Sequence, residues 1–269
     1  MLSQPYLDKR LSERAAYFPI SGEHLYTVLH EVQNPVGRVL LVGPLAAERH
    51  YSYYPWVRWA RYLAARQIEV LRYDYRGIGE STGRFEEMTF ADWADDVNTL
   101  ASWLSTRSPQ VPLVLHGLEV GGILASRSFQ GGIGDALLLW SPPATANHGL
   151  RSSLLLWAGL EQLWESSENR RPASDYIRLV EQGFPIEVYG YQWTSQLWRE
   201  SFNIALPSDL NDLATTRRRP VKLAKLGKET SPLVKPHVTY DEVKDLSFLY
   251  AEHFAWLSEV LALPAGGAA

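Results

Sequence analysis

Short apolar runs at residues 38–42, 68–73, 111–115 and 136–140 constrain this chain more than any other feature. The run at 38–42 is nearly continuous and reads as a strand buried on both faces of a parallel sheet, and the others follow as further strands of the same alternation. Parallel neighbours need long crossovers, and the intervening segments supply them. Trp56, Trp59, Ala60, Leu63 and Ala64 recur at helical spacing, as do Trp93, Val97, Leu100 and Leu104, and residues 121–129 read as a third helix. Thr89-Phe90-Ala91-Asp92 has the form of a capping box, which starts a helix over 90–105. The alternation predicts an α/β fold with a mostly parallel sheet covered by helices on both faces.

Runs at 15–20 and 25–31 flank Ser21-Gly22-Glu23-His24, a turn-rich sequence that predicts an antiparallel hairpin at the start. Runs at 220–226 and 246–250 predict two final strands, about eight in all, before a terminal helix over 253–263. Between 141 and 213 the pattern changes to aromatic-rich helical segments carrying Trp157, Trp164, Trp193 and Trp198, with no evident buried strand. That stretch reads as a helical lid inserted into a single domain spanning 1–269, a length that suits one large core.

Charge and composition remove several function classes. With 26 basic and 30 acidic residues the net charge is −4, and no basic stretch is long enough to track phosphates, so nucleic acid is not an expected partner. Arg217, Arg218 and Arg219 read as a solvated loop. The absence of cysteine rules out thiolate chemistry, disulfides and cysteine-rich zinc sites. The seven histidines show no metal-ligand spacing, and no cofactor is expected. The apolar stretch 154–160 falls far short of the roughly 20 residues that cross a bilayer. Residues 1–10 lack an apolar segment behind a basic start, so a cytoplasmic location is expected.

Two motifs sit on consecutive strand ends. Asp74-Tyr75-Arg76-Gly77-Ile78-Gly79-Glu80-Ser81 follows the second apolar run, and Gly117-Leu118-Glu119-Val120-Gly121 joins a buried strand to a helix. The first resembles the D-x-R-G-x-G-x-S turn of the α/β-hydrolase superfamily. The second resembles its G-x-S-x-G nucleophile elbow with glutamate in place of serine. Almost the whole chain follows the family order, which implies the α/β-hydrolase fold, a Ser–Asp/Glu–His triad and an oxyanion hole of two backbone amides. By position, Glu119 takes the place of the nucleophile and His253 that of the histidine. Glu229 or Ser231, in Gly227-Lys228-Glu229-Thr230-Ser231, stands nearest the acid. The hole would use the amides of Val120 and Leu45, because Pro44 has no N–H. A narrower resemblance links Gly43-Pro44-Leu45-Ala46-Ala47-Glu48 and Phe184-Pro185-Ile186-Glu187-Val188-Tyr189-Gly190-Tyr191 to bacterial hydrolases of exosortase gene clusters.

Glutamate cannot copy serine chemistry, so the resemblance predicts a protein inactive as a serine hydrolase that binds a small apolar or acyl ligand under the lid. In one reading Glu119 is a charged carboxylate held by the helix dipole and backbone amides and paired with His253. In another it attacks carbon directly, as aspartate does in epoxide hydrolases and haloalkane dehalogenases of this fold, or acts as a general base on water. His116, beside the elbow, reads as a packed strand-end residue near the pocket, and Asp74 and Arg76 as a structural network. Gly77, Gly79 and Gly83 give a faint dinucleotide-loop pattern, the remote alternative of an oxidoreductase, but the third glycine is one residue late.

Overall fold

The computed structural model describes residues 12–164, 166, 170–216, 218–226 and 246–262. Strands β1 (Ser12–Ile20) and β2 (Glu23–Glu31) form the expected hairpin, and β3 (Gly37–Val42) leads into helix α1 (Ala46–Ala64). β4 (Ile68–Tyr73), a 3₁₀ turn at Phe85–Glu87, α2 (Phe90–Arg107), β5 (Leu113–Leu118), α3 (Val120–Gln130) and β6 (Ala136–Trp140) continue the alternation. After them come α4 (Ala146–Trp164), α5 (Ala173–Glu181), β7 (Ile186–Val188), β8 (Tyr191–Trp193), α6 (Ser195–Ser201) and α7 (Leu210–Thr216). β9 (Val221–Ala224) and α8 (Ser247–Val260) complete the order.

Seven strands join in the order β1-β2-β4-β3-β5-β6-β9. The β1–β2 and β2–β4 pairs are antiparallel and the others parallel, as the apolar runs predict. The period-2 alternation of a strand divides the core. Leu40 and Val42 of β3 face the layer of α2 and α3, whereas Val39 and Leu41 face α1 and α8. Thr89 caps α2 by the reciprocal capping box with Asp92 that the sequence indicates.

Two expectations need correction. The run at 246–250 is not an eighth strand: Leu246 caps α8, whose buried Leu249, Tyr250, His253 and Leu257 make a helical stripe. A short apolar run has no decisive period of its own, and here the ring of Tyr250 stacks on Trp59 at 5.1 Å while its hydroxyl donates to Pro55 O at 2.8 Å. The segment 141–213 is not wholly helical either, since β7 and β8 form a hairpin with Ile186, Val188 and Trp193 buried. Trp193 and Trp198 are buried within that segment, 6.5 Å apart and nearly parallel.

One buried ion pair ties the sheet to α2. Arg38 of β3 donates through Nε to Glu69 of β4 at 2.8 Å and through Nη1 to the carbonyls of Leu104 and Ser108, and both side chains are almost fully buried. Removing one partner strands a buried charge, so Arg38→Met should lower the unfolding free energy by about 3–5 kcal/mol. Arg38→Met with Glu69→Leu should recover most of the loss; urea denaturation of both variants checks this.

Candidate functional site

The elbow is built by backbone proximity. A Cβ on Gly121 would lie 2.0 Å from Gly43 O and 2.4 Å from Val42 O, and one on Gly117 would lie 2.4 Å from Gly122 Cα. Only glycine lets α3 begin this close to β3. Between them Glu119 sits at φ 52° and ψ −128°, a left-handed backbone that costs roughly 1–3 kcal/mol for a residue with a side chain. Its backbone is held by Glu119 N–H to Trp140 O (3.0 Å) and Gly122 N–H to Glu119 O (2.9 Å). Its side chain makes no capping hydrogen bond to the start of α3. The expected carboxylate cradled by backbone amides is therefore not formed.

What surrounds Glu119 is another acid and the first helix of the inserted segment. Glu48, in the first turn of α1, is buried and accepts a 2.5 Å hydrogen bond from Ser153 Oγ of α4. A Cβ on Gly149 would lie 2.4 Å from Val120 Cγ2, so α4 rests directly on the first residue of α3. Burial pushes Glu48 up to about 7, against the Ser153 hydrogen bond that favours its charged form. Burial first, and then the charge of Glu48, pushes Glu119 up to about 8. At neutral pH the elbow thus presents a largely protonated carboxyl, contrary to the expectation that the helix dipole keeps it charged. Sequence reasoning missed Glu48 and Ser153. Glu48 stands three residues after Leu45, which looks like ordinary first-turn chemistry, and Ser153 meets it across 105 residues.

The remaining site expectations separate. Leu45 caps α1 without a side-chain bond, and Val120 opens α3; the first N–H groups of a helix have no intrahelical acceptor, which leaves both amides as donor candidates. His116 is fully buried on the α1 face of the sheet, between Trp56 (4.9 Å) and Trp140 (4.6 Å), with Nδ1–H donating to Leu138 O at 3.0 Å. Burial pushes it down to about 3. The run at 246–250 being helical, His253 lies within α8, where Nδ1–H donates to Leu249 O at 2.8 Å and the ring meets Trp140 at 5.3 Å. Burial also lowers it. His253 meets Trp140 and its own helix, the charge that Glu119 feels is that of Glu48, and among the described residues no hydrogen bond or ion pair joins His253 to Glu119. Glu229 and Ser231 lie outside the described residues.

The turn after β4 is a hydrogen-bonded network. Asp74 takes both guanidinium arms of Arg49 (2.7 and 2.6 Å) and the amide of Glu80, and Arg76 pairs with Asp96 at 2.6 Å. The dinucleotide pattern is overturned, because no helix opens after Gly83: the 3₁₀ turn follows, and α2 begins only at Phe90. Such a loop must lead straight into a helix N-terminus to hold a pyrophosphate.

Residues 28–167 match the family profile described as serine aminopeptidase, S33, which is more than half of the chain. The chain belongs to the serine aminopeptidase S33 family. No curated protein matches this S33 chain in sequence. Among solved structures it is similar to Est1E from Butyrivibrio proteoclasticus with ferulic acid bound, at 16% identity and TM-score 0.60, over 92% of this chain and 100% of that one. The α/β hydrolase GrgF from Penicillium sp. sh18 is 15% identical with TM-score 0.56, over 94% and 100%. A soluble variant of monoglyceride lipase from Saccharomyces cerevisiae, with a substrate analogue, is 12% identical with TM-score 0.53, over 97% and 99%. These likenesses establish the α/β-hydrolase fold. Among the described residues of the S33 chain no helix is long and apolar enough to cross a membrane, and no group of three or more His, Asp or Glu could hold a metal ion.

An acid whose folded value is raised stabilises the fold fully below its unfolded value near 4.5 and loses that contribution as pH climbs through the raised value. Stability should therefore fall from about pH 5 to about pH 9 as Glu48 and Glu119 ionise. Glu119→Gln, neutral at every pH, should match the parent near the acid end and melt higher near the alkaline end. Calorimetry across the range checks this, and superimposable profiles would contradict it.

Proposed function

We propose that this S33 protein has lost serine-hydrolase catalysis and serves as a binder of a small apolar or acyl ligand, held under a lid formed by residues 141–213 of one 269-residue domain. The carrying observation is the state of Glu119: it sits at the elbow, without a hydrogen bond from a helix amide, with its carboxyl pushed up to about 8 by burial and by Glu48. A neutral carboxyl is neither nucleophile nor base, but it donates a hydrogen bond, which suits the carbonyl of an acyl group. The amides of Val120 and Leu45 are the proposed oxyanion-hole donors and add to this recognition. His253 and Glu229 remain the proposed partners by family position, yet the placement of His253 in α8 favours a packing role. The resemblance to exosortase-associated hydrolases is the narrower relationship we propose, and a cytoplasmic location goes with it.

A second reading is favoured by Glu48. Two neighbouring carboxyls that titrate near 7 and 8 lie in the range useful for general acid–base work. An atypical hydrolase of esters, epoxides or haloalkanes would use Glu119, once ionised, as nucleophile or base.

The natural protein should show no labelling by a fluorophosphonate probe and no turnover of activated esters above the roughly 10³–10⁴-fold residual that serine hydrolases keep without a triad. Glu119→Ser should restore little labelling, since among the described residues no hydrogen bond or ion pair joins an imidazole to that position. Robust ester turnover abolished by Glu119→Gln would establish the second reading instead.

A further inference from the structure

A separate cleft lies at the carboxyl ends of β3 and β4, the edge at which α/β sheets hold ligands. Arg49, Ser52, Tyr53, Trp56, Arg72 and Tyr73 are among its lining residues, and neither Glu48 nor Glu119 takes part. The guanidinium of Arg49 lies 5.2 Å, and that of Arg72 5.5 Å, from the centroid of the same Tyr53 ring. One tyrosine thus gathers two cations. Their charges are not equally balanced. Arg49 is neutralised by its bidentate bond to Asp74. Arg72 donates only to neutral acceptors, through Nε to His30 Nε2 and through Nη1 to Tyr53 OH, both at 3.2 Å. His30 stays uncharged because burial pushes it down to about 4, and Glu13, the nearby acid, is engaged by Arg61. Among the described residues Arg72 has no ion-pair partner.

We propose that this cleft is a second binding site, one that takes the oxyanion, carboxylate or phosphate, of a small ligand whose apolar body lies on Trp56 and Pro44. Arg72 supplies the unbalanced charge and a fork of N–H donors matched to two oxygens. Ser52, whose hydroxyl now donates to Glu48 O of its own helix at 3.0 Å, is a lining residue of the same wall. Tyr53 holds both guanidiniums in place by cation–π contact. The proposal does not depend on the chemistry of Glu119.

Isothermal titration of phenyl phosphate and of benzoate into the full chain at fixed ionic strength, with sodium chloride as control, tests it. One-site saturable binding of at least one of the two oxyanions is expected, the stronger identifying the head group, and chloride should give none. Arg72→Gln should weaken binding at least about tenfold, the size of a lost charge-assisted pair, with an unchanged circular dichroism spectrum. If that variant fails to fold, Tyr53→Ala, at a half-exposed position, should give the same loss. No saturable binding by either probe, binding undiminished in the folded variant, or binding lost in Glu119→Gln would overturn the proposal, the last by placing the anion at the elbow.

Discussion

The contact between the start of α3 and the end of β3 governs the rest of the molecule. The carbonyls of Val42 and Gly43 lie where any side chain at position 121 would have to go, so the helix can seat itself only through glycine. Once it is seated, the residue before it must turn through a positive φ, and Glu119 is presented at the strand end in a backbone that few residues adopt without cost. α4 then packs on Val120 and covers part of the position, leaving Glu119 partly buried. Local strain, helix placement and the covering of the elbow are thus one arrangement.

Enclosure decides the chemistry. A helix N-terminus favours an anion by ~0.3–1 kcal/mol near the surface, whereas each unit of pKa shift represents about 1.4 kcal/mol. A carboxyl displaced from 4.5 to about 8 by burial and by Glu48 is therefore governed by desolvation and not by the dipole. The same elbow that would present a serine hydroxyl for activation presents here a proton donor. The charge that acts on it is that of Glu48, which Ser153 engages, while the histidines 116 and 253 pack in the tryptophan-lined layer on the α1 and α8 face.

Much of this was legible in the residues. The apolar runs and helical stripes marked the sheet and its crossovers because burial on two faces leaves few polar positions along a strand, and Gly117 and Gly121 marked the elbow because nothing else fits there. The run at 246–250 misled, since five apolar or small residues are compatible with either period and only the stacking of Tyr250 on Trp59 selects the helix. Placing His253 after a strand rested on the same ambiguity. Glu48 could not be found from spacing: its significance comes from Ser153, far away in sequence, and from an enclosed position that a linear pattern does not encode. Nor does any motif mark the pairing of Arg72 with His30, which requires β2 and β4 to lie side by side.

The central claim is that Glu119 is held neutral by its enclosure beside Glu48, and carboxyl carbon NMR of protein labelled with ¹³C-glutamate measures it directly, with Glu119→Gln assigning the signal. The account predicts a midpoint near 8 that falls when Glu48 is replaced by glutamine. A midpoint at the ordinary glutamate value near 4.5, unmoved by that replacement, would contradict it.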